Sequence, residues 1–232
     1  MRFRHVPVIA VASLALAAQA GAQDASRAVA GGGISAPGWM GKIDESEAAK
    51  GLKLENSKLV TMGSGLHVTT GPQVVYWNPA NMATGNYTVK ATFAEREYMS
   101  LNDHPHPYGI VIGGNDMGTE NQTYLYCAAY GNGSFIVRGF GPAAFQLNGR
   151  RGEMNDAVNK AAGKGQPVTQ EIAVTVSTDK VECAINGKVV ATYPKSEVVG
   201  AGKLKSTDGV YGIRFGHNAD AHVGGLAMTK GM

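Results

Sequence analysis

Residues 121–141, NQTYLYCAAYGNGSFIVRGFG, decide the fold. β-Formers fill 124–130 and again 134–140, with Gly131-Asn132-Gly133 between them. An Asn-Gly pair supplies the positive φ values of a two-residue type I′ turn, whose twist suits a hairpin. Such a turn sorts Tyr124, Tyr126, Ala128, Tyr130, Phe135 and Val137 onto one face. Leu125, Cys127, Ala129, Ser134, Ile136, Arg138 and Phe140 fall on the other. Both faces are largely apolar, so the hairpin is expected at the centre of a two-layer β structure.

The pattern continues outward on both sides. Short strands are expected at 52–55, 58–62, 66–70, 73–77, 87–96, 108–113, 170–178, 180–185, 188–193, 209–215 and 221–229. Alternation is cleanest at Tyr87, Val89, Ala91 and Phe93, which share one strand face. Asn186-Gly187 is a second hairpin turn. Many short strands, turn signals between them and 32 glycines argue for a sandwich or barrel. Two stretches depart from this. Residues 44–51 suit a short helix with Asp44 as its cap and Glu47 in the capping-box position. Residues 146–166 are polar, with a weak helical tendency at 153–162, and read as a long surface loop, a length more often functional than idle.

The 232-residue chain opens with a charged n-region carrying Arg2 and Arg4 and an apolar core at 8–18. The small-residue run Ala20-Gly21-Ala22 follows, so 1–22 is expected to be a secretory signal peptide and the protein to be periplasmic or extracellular. Residues 23–36, rich in Ala, Gly and Ser, read as a mobile leader, and 37–232 as a single domain of a size usual for all-β folds. Without Arg2 and Arg4 the 21 basic residues come almost level with the 18 acidic ones. No basic cluster follows, so nucleic acid and membrane insertion are not expected. Cys127 and Cys183, each in an expected strand with apolar neighbours, are either a disulfide of an oxidising compartment or two buried thiols.

The order of elements carries a resemblance. Asn86-Tyr-Thr-Val-Lys is followed by Tyr108-Gly-Ile-Val-Ile-Gly-Gly and the central hairpin. Then come Glu171-Ile-Ala-Val-Thr-Val, Lys180-Val-Glu-Cys-Ala-Ile-Asn-Gly-Lys-Val-Val and a closing Gly209-Val-Tyr-Gly-Ile-Arg-Phe. This resembles the concanavalin A-like lectin/glucanase superfamily, in particular its laminin-G-like bacterial domains related to the 3-keto-disaccharide hydrolases. The resemblance covers about 39–229. It implies an all-β, two-sheet antiparallel jelly-roll sandwich with ligands on a concave face or its rim loops. Fold alone does not give function.

Glycoside cleavage in that superfamily needs two facing carboxylates. The Glu-x-Asp-x-(x)-Glu strand of its laminarinase-like members is missing. The nearest match, Glu95-Arg96-Glu97, reads as a solvated strand end. Sugar sites combine an aromatic platform with planar polar groups. Trp77, Asn78, Tyr108, Asn115, Asp116, Tyr124, Tyr126, Arg138, Arg214 and His217 supply those types near strand ends. Arg138, mid-strand among apolar neighbours, is expected to have a carboxylate partner or to lie on a wet concave face. In Asn102-Asp-His-Pro-His-Pro-Tyr108 the histidines His104 and His106 face one way on an extended chain. They are candidate ligands of a transition metal, with His217 or His222 as a third. Calcium in the loop 113–118 is the other cofactor considered; otherwise none is expected. These readings favour an exported, non-catalytic carbohydrate-binding module. A glycoside-cleaving enzyme and an envelope assembly protein are the alternatives, and no oligomeric state is implied.

Overall fold

The computed structural model describes residues 25–231. Residues 1–24, on which the expected signal peptide falls, lie outside the described residues. Sixteen strands follow in chain order: β1 (Gly33–Ile34), β2 (Met40–Ile43), β3 (Lys58–Met62), β4 (Gly65–Thr69), β5 (Val74–Ala83), β6 (Tyr87–Glu95), β7 (Tyr108–Asn115), β8 (Thr123–Ala129), β9 (Ser134–Phe140), β10 (Ala144–Gln146), β11 (Glu153–Met154), β12 (Val168–Val176), β13 (Lys180–Ile185), β14 (Lys188–Pro194), β15 (Gly209–Phe215) and β16 (Asp220–Lys230). They form two sheets. One runs β1-β3-β4-β16-β6-β12-β13-β14. The other runs β10-β9-β8-β7-β15-β5-β2, with β11 also paired to β9. Pairing is antiparallel apart from β1 with β3. The jelly-roll sandwich expected from the strand rhythm is the architecture found.

The core lies between the sheets, and strand alternation fills it. β6 contributes Tyr87, Val89, Ala91 and Phe93; β7 contributes Tyr108, Ile110 and Ile112; β15 contributes Ile213 and Phe215. Phe93 stacks on Tyr108 at 5.5 Å between ring centres, within the range of favourable aromatic pairs. A disulfide joins Cys127 of β8 to Cys183 of β13 across this core, with 6.0 Å between Cα atoms. Of the two readings of the cysteines, the cross-link is the one present.

Alternation also corrects a reading. Glu95 continues the inward series of β6 and is buried, while Glu97 is exposed. Arg96 and Glu97 are solvated as expected of a strand end, but Glu95 is not, and the two glutamates do not form a facing acid pair. Burial pushes the Glu95 carboxyl up to about 7, against the opposing pull of a hydrogen bond from Met99 N–H (3.1 Å to Oε1).

The central hairpin differs from its expected register. Tyr124, Tyr126 and Ala128 lie opposite Phe140, Arg138 and Ile136, and Cys127 lies opposite Val137. The even-numbered residues of both strands thus share a face, so the sorting read for β9 is inverted. The cause is the connection. Tyr130 N–H bonds to Ser134 O at 2.8 Å, leaving three residues in the loop, and only Gly133 has a positive φ (93°). This is the three-residue geometry ending in a left-handed glycine; a type I′ turn needs a positive φ at Asn132 as well. One extra loop residue moves every β9 side chain to the opposite face. At Asn186-Gly187 both φ values are positive (50° and 78°), and the two-residue turn is present as expected.

Three further expectations change. Residues 52–55 are not a strand; Leu54–Asn56 forms a 3₁₀ turn. The weak helical tendency at 153–162 yields β11 and irregular chain, pinned where Ala161 N–H meets Gly131 O and Asn186 Nδ2 meets Ala157 O. Where a loose leader was expected, Arg27 N–H bonds to Asn218 Oδ1, Val29 N–H bonds to Asn56 O, and β1 pairs with β3. No helix among the described residues is long and apolar enough to cross a membrane.

Candidate functional site

The face of the β8-containing sheet turned away from the core carries a second apolar cluster. It comprises Val75, Trp77, Val111, Tyr124, Tyr126, Ala128 and Ile136, with Phe140 and Tyr130 packed against it. Through this layer rises Arg214 of β15, only 4% exposed. A lone buried guanidinium is costly, and this one is paired with a carboxylate and hydrogen-bonded to a tyrosine. Nη1 and Nη2 donate to Asp44 Oδ1 and Oδ2 at 2.8 and 2.5 Å, and Nη1 also bonds to Tyr124 Oη at 2.9 Å. Its carbon centre lies 5.1 Å from the Tyr126 ring and 4.8 Å from the Phe140 ring, within cation–π range. Asp44 does not cap the four-residue helix α1 (Glu45–Ala48), because its carboxylate is committed to Arg214. Glu47 likewise makes no capping box; it accepts from Ser26 Oγ at 2.7 Å.

Beside this assembly opens a cavity of about 800 Å³. Tyr126, Ala128 and Tyr130 line it from β8 and its loop, Arg138 from β9, Arg214 and Gly216 from the end of β15. Arg150 and Arg151 come from the long polar loop, and His104 and His106 from the loop before β7. No Asp or Glu is among the lining residues. Among the described residues Arg138 makes no ion pair with a carboxylate. Its Nη2 donates to Arg150 O at 2.6 Å, and the Gln146 amide, oriented as its hydrogen bonds require, accepts Nη2 and Nε at 2.7 and 2.8 Å. Neutral acceptors hold the guanidinium in place and leave its charge directed at the cavity. Of the two fates expected for Arg138, the carboxylate partner is not found among the described residues, and the side chain lines the cavity.

Tyr126, Arg138 and Arg214 therefore line one cavity, and His104 and His106 lie on its rim. Tyr124 sits one layer behind, buried, its ring 4.9 Å from Phe140. The remaining candidates lie elsewhere. Trp77 is buried beneath the loop at Gly118. Asn78 accepts from Ala80 N–H in another part of β5, and Tyr108 is core. Asn115 donates to Gly113 O and Asp208 O, and Asp116 pairs with Lys205, so both tie their turn to the segment at 205–208. Sequence reading missed Gln73, Tyr130, Arg150 and Arg151. The arginines sit in the loop whose unusual length was the only signal available; Tyr130 reads as an ordinary core aromatic.

His217 meets His104 and His106. The ring centres of His106 and His217 are 3.7 Å apart, those of His104 and His106 4.4 Å, and those of His104 and His217 5.9 Å. His222, the other candidate third ligand, packs against His67 on the opposite sheet at 4.6 Å.

No protein-family model matches the chain, and no curated protein matches it. Solved structures do. The chain is similar to a Bacillus subtilis carbohydrate-binding module, CBM66, at a TM-score of 0.54 and 7% identity, covering 86% of this chain and 99% of that one. It is equally similar, at 0.54 and 12% identity, to a Bacillus subtilis protein of unknown function with a galectin-like fold, covering 83% and 89%. At these identities the likeness is one of fold alone, the two-sheet antiparallel β-sandwich.

Proposed function

We propose that this protein is an exported, non-catalytic binding module for an acidic carbohydrate, held in the cavity between Tyr126, Tyr130, Arg138, Arg150 and Arg151. The observation that carries this reading is the character of the lining. Tyr126 and Tyr130 offer ring surface to the C–H face of a sugar, and arginine forks suit carboxylate groups bidentately. Arg214 is already neutralised by Asp44, but Arg138 is held by neutral acceptors, so its charge is available to an anionic partner. A cavity without lining carboxylates offers no acid pair for glycoside cleavage, which favours binding over hydrolysis. The CBM66 and galectin-like neighbours support a sugar as the ligand through their fold.

The test is a thermal-shift screen of residues 23–232 against matched acidic and neutral oligosaccharides. A ligand at about 100 times its Kd adds about 2.7 kcal/mol of stability, a few degrees for a domain of this size. Uronate-containing oligosaccharides are expected to raise the midpoint and neutral ones of equal length are not. A shift with neutral glycans alone would overturn the anionic part of the reading. No shift with either would leave the assembly alternative, which predicts self-association instead.

A further inference from the structure

We infer that His104, His106 and His217 form a three-imidazole site for a divalent transition metal of the zinc class, with its open coordination position directed at the cavity. Among the described residues these three are brought together with one ring nitrogen each, all within 4.8 Å of one another. The inference rests on this geometry and does not require the cavity to bind a sugar.

The convergence is built by the backbone. Prolines 105 and 107 fix φ on either side of His106 and keep the segment extended, so His104 and His106 project to the same side. His217 arrives from the turn that follows β15. Gly216 N–H donates to Pro107 O at 2.7 Å and clamps the two loops together. A Cβ at Gly216 would fall 2.9 Å from His106 Cβ and 2.8 Å from Pro107 Cδ, so only glycine allows this approach. Asn102 Nδ2 spans the same gap, donating to His217 O at 3.3 Å and Asn218 O at 2.6 Å. Thr70 Oγ1 holds Gly216 O at 2.7 Å, and Asn218 N–H meets Gly71 O at 2.9 Å. Backbone and side-chain hydrogen bonds therefore hold the His106 and His217 segments against each other.

The chemistry selects the ion. Three neutral imidazoles suit zinc, copper or nickel and not calcium or magnesium, which take oxygen ligands. Tetrahedral zinc with bonds of about 2.0–2.1 Å needs nitrogens roughly 3.4 Å apart. The three nitrogens lie within 4.8 Å of one another, so metal binding would draw them closer, and His104 is partly exposed at the rim. His217, 2% exposed, forms the anchored end, while His104 and His106 face the cavity. Three protein ligands leave the fourth position to water or to an oxygen atom of a cavity occupant, the arrangement of an open rather than a closed structural site.

The measurement is equilibrium dialysis of the untagged mature chain against zinc chloride, with cobalt(II) chloride as a spectroscopic probe. One zinc per chain is expected, together with the strong visible absorption of four-coordinate cobalt. His104→Ala and His106→Ala, both at the partly exposed rim, are expected to weaken zinc binding at least tenfold and to abolish the cobalt spectrum. His222→Ala, on the other sheet, should leave both unchanged. Circular dichroism and thermal midpoints confirm that each variant is folded. Binding well below one zinc per chain, or binding that survives in the His104→Ala/His106→Ala double variant, would overturn the assignment. So would a loss produced equally by His222→Ala.

Discussion

Arg214 and Asp44 meet through two parallel hydrogen bonds although 170 residues separate them, and both are sheltered from solvent. The pair ties the residue before α1 to the strand that floors the cavity. Removing one partner of a buried pair leaves the other charge without compensation, which costs about 3–5 kcal/mol. Asp44→Asn is accordingly expected to lower the denaturant midpoint by that equivalent at unchanged m-value. Tyr124→Phe removes one hydrogen bond of the same group and should cost about 1 kcal/mol. Equal, small effects of the two variants would show that the pair is not the anchor described.

Ligand binding and stability should separate between two aromatic residues of the same sheet face. Tyr126 lines the cavity; Trp77 is 3% exposed and lies beneath the Gly118 loop. Tyr126→Ala and Arg138→Ala are expected to weaken binding of an acidic oligosaccharide at least tenfold, read by calorimetry on folded protein. Trp77→Ala should cost about 3–5 kcal/mol of stability while the folded fraction binds as before. The opposite pattern would move the site away from the cavity.

Glu95 makes stability depend on pH. Its folded-state carboxyl is raised to about 7 from the usual 4.5, mainly by burial. Below 4.5 both folded and unfolded chains carry the proton, and the group is neutral toward folding. Between 4.5 and 7 the unfolded chain ionises first, so stability falls as pH rises, by about 3 kcal/mol in total. Glu95→Gln should flatten this slope and stabilise the protein at pH 7. A chemical-denaturation series from pH 4 to 8 on both proteins measures it, and identical slopes would exclude Glu95 as the source.

The Cys127–Cys183 bond closes a loop spanning 56 residues and links the two sheets. Loop-closure entropy puts its contribution at about 4 kcal/mol, within the usual range for native disulfides. Reduced protein, or Cys127→Ala/Cys183→Ala, should unfold at a correspondingly lower denaturant concentration, while Tyr126 and Arg138 keep their places. Indistinguishable unfolding curves with and without reductant would show that packing alone holds the sheets.

Local pattern determined much of this protein. Alternation in 87–95 placed Tyr87, Val89, Ala91 and Phe93 in the core, and followed one step further it also places Glu95 there. Asn186-Gly187 specified its own turn, because both positive φ values fall on residues that tolerate them. The extended His104-Pro-His106-Pro segment likewise declared its shared direction, since proline restricts the backbone locally.

Tertiary structure decided the rest. Whether Arg138 faced the core or the cavity turned on one residue of loop length at Gly131–Gly133, a difference local propensity does not resolve. Asp44 reads locally as a helix cap; burial of Arg214 outbids that role, since a desolvated charge costs more than a lost cap. Arg150 and Arg151 carry no local mark of a site, because a solvated charge and a cavity-lining one look alike in sequence. His217 could join His104 and His106 only once the strand-end loops on either side of the Gly216–Pro107 hydrogen bond were packed together, a long-range closure with no periodic signature along the chain.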